Sequence, residues 1–181
     1  MIRVLPTVKR EVQMEPHYPA GSGTVAAIGR HPLHPMLVPL PIGFLVGALI
    51  ADIAFVATGD GFWARGAFWL LIGGVITGLL AGLAGMIELL GLPRARAMTS
   101  AWIHGLGNVL ALALAAVNIV VRWGDHVGAV NATGLVLSLI VVVILGVTGW
   151  IGGELSYRHG VGVSDNVGGT QSGSPDRNLD P

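Results

Sequence analysis

The sequence predicts an all-α fold: a four-helix up-down transmembrane bundle flanked by disordered N- and C-terminal tails. Three observations predict it. Of the 181 residues, 52% are hydrophobic and only 11% charged, against about 25% charged in a soluble domain. The mean hydropathy is +0.72. The apolar residues gather into four stretches, each close to the roughly 20 residues a helix needs to cross a bilayer core. The connections are short, so successive helices should run antiparallel.

Residues 1–29 carry Arg3, Lys9, Arg10, Glu11 and Glu15 with no apolar run between them. They lack the layout of a secretory signal peptide and are expected to form a flexible tail. Residues 30–160 form the expected membrane domain. Its first helix spans about 38–57, with Pro39 and Pro41 in the first turn, where a missing N–H costs nothing. The second spans about 66–90 and stops at Gly91-Leu92-Pro93. The third spans about 100–123, with Thr99 or Ser100 as N-cap. The fourth spans about 132–157, with Asn131 or Thr133 as cap. Residues 161–181 are polar and rich in Gly, Ser and Pro, too poor in apolar groups to fold alone.

Four spans place both termini on one side. That side holds Arg3, Lys9, Arg10, Arg30, Arg94, Arg96, Arg158 and Arg177; the other holds Arg65 and Arg122. The positive-inside rule then puts both termini in the cytoplasm, with the chain multi-pass in the membrane. Ten basic residues balance ten acidic ones, which leaves no electrostatic footprint for nucleic acid. There is no cysteine, so disulfides, thiolate metal ligands and a catalytic thiol are excluded within this chain. Ser100, Ser138 and Ser156 read as caps or helix back-bonders, and no motif points to hydroxyl-based catalysis. Gly74, Gly78 and Gly82 recur at spacings of four, a helix-packing face within the monomer or a homo-oligomer face.

Ionisable groups in a bilayer are expensive, and each needs a partner or a function. His31 and His34 stand at the entry to the first helix, each followed by a proline. Proline disfavours helix at the residue before it, so both imidazoles are expected outside the helix. Glu88 ends the second helix, His104 begins the third, and Glu154, Arg158 and His159 close the fourth. The up-down order brings His31, His34, Glu88, His104, Glu154 and His159 to one leaflet. These six are the candidate ligands of a transition metal or of haem b, in a redox or metal-handling role. Glu88 and Glu154 sit at the negative ends of helix dipoles and call for a compensating cation from His104, His159 or Arg158. Each hairpin begins with His and ends with Glu, a faint internal repeat.

The third helix also aligns His104, Asn108, Asn118 and Arg122 on one stripe across the membrane, which must face the bundle interior. Asp52 lies some 20 Å along its helix, at the depth of Asn118 and the long side chain of Arg122. An Asp52–Arg122 pair or an Asp52–Asn118 hydrogen bond is expected. Two other function classes fit the same residues. One is a structural or partner-docking module whose polar cluster only locks the helices. The other is an ion or proton transporter, which four helices would build only as an oligomer.

The stretch HPLHPMLVPLPIGFLVGALIADIAF at 31–55, the third helix from Ala101 to Asn108 with Asn118 and Arg122, and the closing segment Gly149–Val163 carry a resemblance. Together they resemble a bacterial membrane family known as domain of unknown function 2231, over about residues 29–163. The resemblance implies a four-helix membrane domain without an established activity, in a bacterial plasma (inner) membrane. Some relatives look fused to Rieske-type iron–sulfur domains. That implies an iron–sulfur or other membrane redox partner supplied by another protein.

Overall fold

A computed structural model describes residues 23–28 and 31–163. The expected tails lie outside the described residues for 1–22, for residue 29 and for 164–181. Four helices are long and apolar enough to span a membrane: Leu33–Thr58, Gly61–Gly91, Thr99–Arg122 and Leu135–Tyr157. The first of these spans is two collinear pieces, α1 (Leu33–Leu37) and α2 (Pro39–Thr58). Pro39 and Pro41 begin α2, where their missing N–H groups break no helical bond. His34 departs from expectation. It sits inside α1, because Pro35 falls in the first turn of that helix, where proline is tolerated. His31 is extended, in a two-stranded hairpin of β1 (Ala27–Ile28) and β2 (His31–Pro32).

Gly59 ends α2 in the left-handed conformation that glycine alone adopts without strain, at φ 71°. The next helix, α3 (Gly61–Gly91), starts five residues before the expected position. Asp60 is the reason: its carboxylate accepts from the backbone N–H of Phe62 at 2.9 Å. A short α4 (Pro93–Arg96) turns the chain into α5 (Thr99–Arg122). Neither Thr99 nor Ser100 caps α5; its N-cap position is Met98, with no side-chain cap. Beyond α5, Asp125 caps a one-turn helix α6 (His126–Ala129), accepting from Gly128 N–H at 2.8 Å. A π-helical turn at Val130–Gly134 then leads into α7 (Leu135–Tyr157). The polar caps expected at 131 or 133 are therefore absorbed within this turn.

The helices pack α2 on α3, α3 on α5, α5 on α7, and α7 back on α2, closing a ring. The centre is small and apolar: Leu45, Ala48, Leu71, Ala111, Ala115 and Val141 are almost fully buried. Large apolar side chains such as Ile50, Leu79, Leu83, Leu106, Val120 and Val143 point outward. This inversion is what lipid, not water, demands of a surface. Glycines set the close crossings. A Cβ on Gly74 would lie 2.6 Å from Leu45 Cδ2, and one on Gly78 would strike Leu112. Gly82 meets nothing within 4 Å, so only part of the small-residue face is used inside the monomer.

Residue 23 and residue 163 meet at one end of the bundle, where Gly23 N–H donates to the Val163 carbonyl at 3.1 Å. This is the terminus-bearing end. Residues 23–28 fall in the stretch expected to be tail, yet they fold back onto the bundle. Glu88 draws them there, accepting from the Thr24 hydroxyl and from the backbone N–H groups of Val25 and Ala26.

Candidate functional site

Two polar centres are built into the otherwise apolar bundle, one toward each end. The deeper lies away from the termini. Arg122 and Asp52, both fully buried, form a two-pronged ion pair with N–O distances of 2.7 Å on both prongs. Ser138 donates to Asp52 Oδ2 at 2.7 Å, and Arg122 Nε donates to Asn118 Oδ1 at 2.8 Å. Asn118 in turn donates to Ser138 Oγ at 3.0 Å and to the Gly134 carbonyl at 3.1 Å. The Gly134 carbonyl belongs to the π-helical turn, where helix bonding is rearranged and a carbonyl can serve a side chain. A Cβ on Gly134 would sit 2.8 Å from the guanidinium. Ser138, expected only to bond its own helix, is thus a member of the network. Every buried side-chain nitrogen and oxygen here has a hydrogen-bond partner, as a buried ion pair requires.

The second centre is at the terminus-bearing end. His34 and His104 come from different hairpins, and their ring centroids lie 6.1 Å apart, edge to face. His34 Nδ1 is 2.8 Å from the Ala81 carbonyl, and His104 Nδ1 is 2.8 Å from the Thr148 carbonyl. A carbonyl only accepts, so each Nδ1 carries a proton, and in the neutral ring Nε2 presents the lone pair. Asn108 Nδ2 fits this assignment: it donates to the His104 carbonyl at 2.9 Å and toward His104 Nε2 at 3.2 Å. The Thr148 hydroxyl closes the network by donating to Asn108 Oδ1 at 3.0 Å.

The two histidines are held alike. His34 lies over Gly85, four residues after Ala81; His104 lies over Gly152, four residues after Thr148. A Cβ on either glycine would come within 2.8 Å of the ring. The repeat that the sequence shows faintly therefore exists as two matching imidazole seats. The sequence pointed to the wrong second member, the terminal glutamates. The matched partners are Ala81 with Gly85 and Thr148 with Gly152. Thr148, a polar residue in the otherwise apolar stretch between Ser138 and Glu154 of its helix, was the available signal.

The other four candidate ligands are elsewhere. Glu88 is occupied by residues 24–26, and its compensation is three N–H and O–H donors where a cation was expected. Glu154 pairs with Arg158 at 3.1 Å across one turn of α7. That pair lines a shallow outward groove with Gly149, Trp150, Gly153 and Tyr157. His31 and His159 are exposed. Among the described residues, no three His, Asp or Glu side chains are grouped so as to hold one metal ion. The stripe on α5 is also interrupted. Between Asn108 and Asn118, about 15 Å along the helix, the interior is filled by Ala111 and Ala115 against Leu45, Leu71 and Val141.

This arrangement has a family context. Residues 30–165 match a family described as a predicted membrane protein, domain of unknown function 2231. The chain belongs to this family. No curated protein and no solved structure matches it. Both polar centres fall within the matched residues of the family domain, so the fold and the site coincide with it.

Proposed function

We propose that this member of the family handles a transition-metal ion at the His34–His104 pair. The carrying observation is the paired seat: two imidazoles 6.1 Å apart, each with Nδ1 bound to a backbone carbonyl, so that Nε2 is the nitrogen available to an ion, on His104 in exchange for its contact with Asn108. Metal-ligating histidines are oriented in this way, with the second nitrogen donating to a carbonyl or carboxylate. A metal-handling role needs only binding and release; a redox role adds an electron partner, for which an iron–sulfur protein is the natural class. The basic residues at the terminus-bearing end, Arg94, Arg96 and Arg158, support a cytoplasmic placement of the site in a bacterial inner membrane.

A second reading is favoured by a specific observation. Every buried side-chain nitrogen and oxygen among the described residues already has a hydrogen-bond partner. A purely structural role, locking two hairpins together, accounts for that without a ligand. One experiment separates the two. Elemental analysis of the purified full chain, followed by titration of the stripped protein with Zn(II), Co(II) and Ag(I), should give about one equivalent bound, lost in His34→Ala and His104→Ala. A protein that stays metal-free and binds none of the three is a structural module.

A further inference from the structure

We infer that the His34–His104 pair is selective for a monovalent d10 cation, copper(I) being the physiological candidate, over any divalent ion. This rests on reading the pair as a metal site. The first ground is charge. The side chains hydrogen-bonded into the pair's network are Asn108 and Thr148, both uncharged. The two carboxylates at this end of the bundle are engaged elsewhere, Glu88 by residues 24–26 and Glu154 by Arg158. An ion entering the seat therefore meets two neutral nitrogen ligands, with no carboxylate hydrogen-bonded to either ring. The cost of removing an ion from water grows with the square of its charge, so a dication loses about four times what a monocation of the same size loses. Two neutral imidazoles offset the smaller loss far more readily than the larger.

The second ground is coordination number. Zinc sites take three or four protein ligands. Among the described residues, no group of three His, Asp or Glu is placed to supply them. Copper(I) and silver(I) accept two nitrogen ligands in a near-linear arrangement. Two metal–nitrogen bonds of about 2 Å in line put imidazole centres roughly 6 Å apart, whereas a tetrahedral angle brings them to about 5 Å. The observed separation is 6.1 Å with the ring planes 87° apart, so in-line binding keeps the spacing of the rings and requires both Nε2 edges to turn toward the ion.

The third ground is equivalence. Both rings lie over a glycine and bond the carbonyl four residues before it, Ala81 with Gly85 and Thr148 with Gly152. Ligands seated alike by the two halves of the bundle offer one ion two equal bonds. Asn108, 3.2 Å from His104 Nε2, gives up that nitrogen to the ion and keeps its 2.9 Å bond to the His104 carbonyl.

The test uses the full chain in detergent micelles, in chloride-free buffer, with silver(I) as the probe. Copper(I) is added anaerobically in a parallel series, and Zn(II) and Co(II) in two others. Imidazole nitrogen NMR reads the site directly. We expect one equivalent of silver(I) to shift the Nε2 signals of both His34 and His104, with both Nδ1 atoms still protonated. Copper(I) should do the same, and Zn(II) should bind at least tenfold more weakly. His34→Ala should lower silver(I) affinity at least a hundredfold. Gly85→Ala retains both imidazoles but pushes the His34 ring aside; it should cost at least tenfold, and it keeps the test decisive if His34→Ala fails to fold. Tighter binding of Zn(II) or Co(II) at the same two nitrogens overturns the monovalent assignment while the metal site stands. Silver(I) that persists unchanged in the variants is held by surface thioethers such as Met36 or Met86, and overturns it as well. No shift with any of the four ions overturns both.

Discussion

Removing the carboxylate of Asp52 is the most severe single change this fold offers, and the structure sets its size. Asp52 accepts three bonds of 2.7 Å: two from Arg122 and one from Ser138. Both ionic side chains are fully buried. In Asp52→Leu the guanidinium keeps its charge but loses its counter-ion where no water can replace it. Breaking a buried pair by removing one partner costs about 3–5 kcal/mol. The double change Asp52→Leu with Arg122→Met removes both charges and leaves Asn118 and Ser138 to bond each other, as they already do at 3.0 Å. Such paired replacement is often neutral, or stabilising by about 1–4 kcal/mol. A double-mutant cycle should therefore return a coupling energy of at least about 3 kcal/mol. The exposed pair Glu154–Arg158 is the internal control. Its side chains are 43% and 76% exposed, and an exposed pair four residues apart on a helix contributes at most about 0.5 kcal/mol. The assay is reversible unfolding in mixed micelles, followed by tryptophan fluorescence. The reasoning is refuted if Asp52→Leu costs less than about 1 kcal/mol, or if the cycle shows no coupling, because the pair would then be neither desolvated nor formed.

Four other outcomes are expected. Gly152→Ala should destabilise the bundle by about 1–3 kcal/mol, since its Cβ would lie 2.8 Å from the His104 ring; a thermal melt unchanged from wild type would refute that seat. Gly146→Ala, whose Cβ meets nothing within 4 Å, should be tolerated in the same melt. Glu88→Gln puts an amide donor toward the N–H groups of Val25 and Ala26, so hydrogen exchange at those two amides should accelerate at least tenfold while exchange in the centre of α3 is unchanged. Val163→Cys introduces a lone thiol into a cysteine-free chain; a membrane-impermeant maleimide should label it in inverted vesicles and not in intact cells, and the reverse pattern would overturn the cytoplasmic placement.

The sequence alone determined the number of spans, their antiparallel order and the need for an internal Asp52–Arg122–Asn118 contact. It did so because the bilayer is an unforgiving solvent: apolar length counts the helices, and an ionic group at that depth must find a partner. Tertiary structure decided the rest. It brought together two of the six candidate ligands, His34 and His104, because only they rest over glycines on a neighbouring helix. It turned Glu88 toward residues 24–26, a partnership written nowhere in local spacing because N–H groups belong to every residue. It also filled the space between Asn108 and Asn118 with Ala111, Ala115 and their apolar neighbours, so the polar stripe on α5 became two separate centres. Periodicity reports which face of a helix a residue occupies. Which atom it meets there depends on helix rotation and close approach, and these are set by glycines whose partners lie about 30 to 50 residues away.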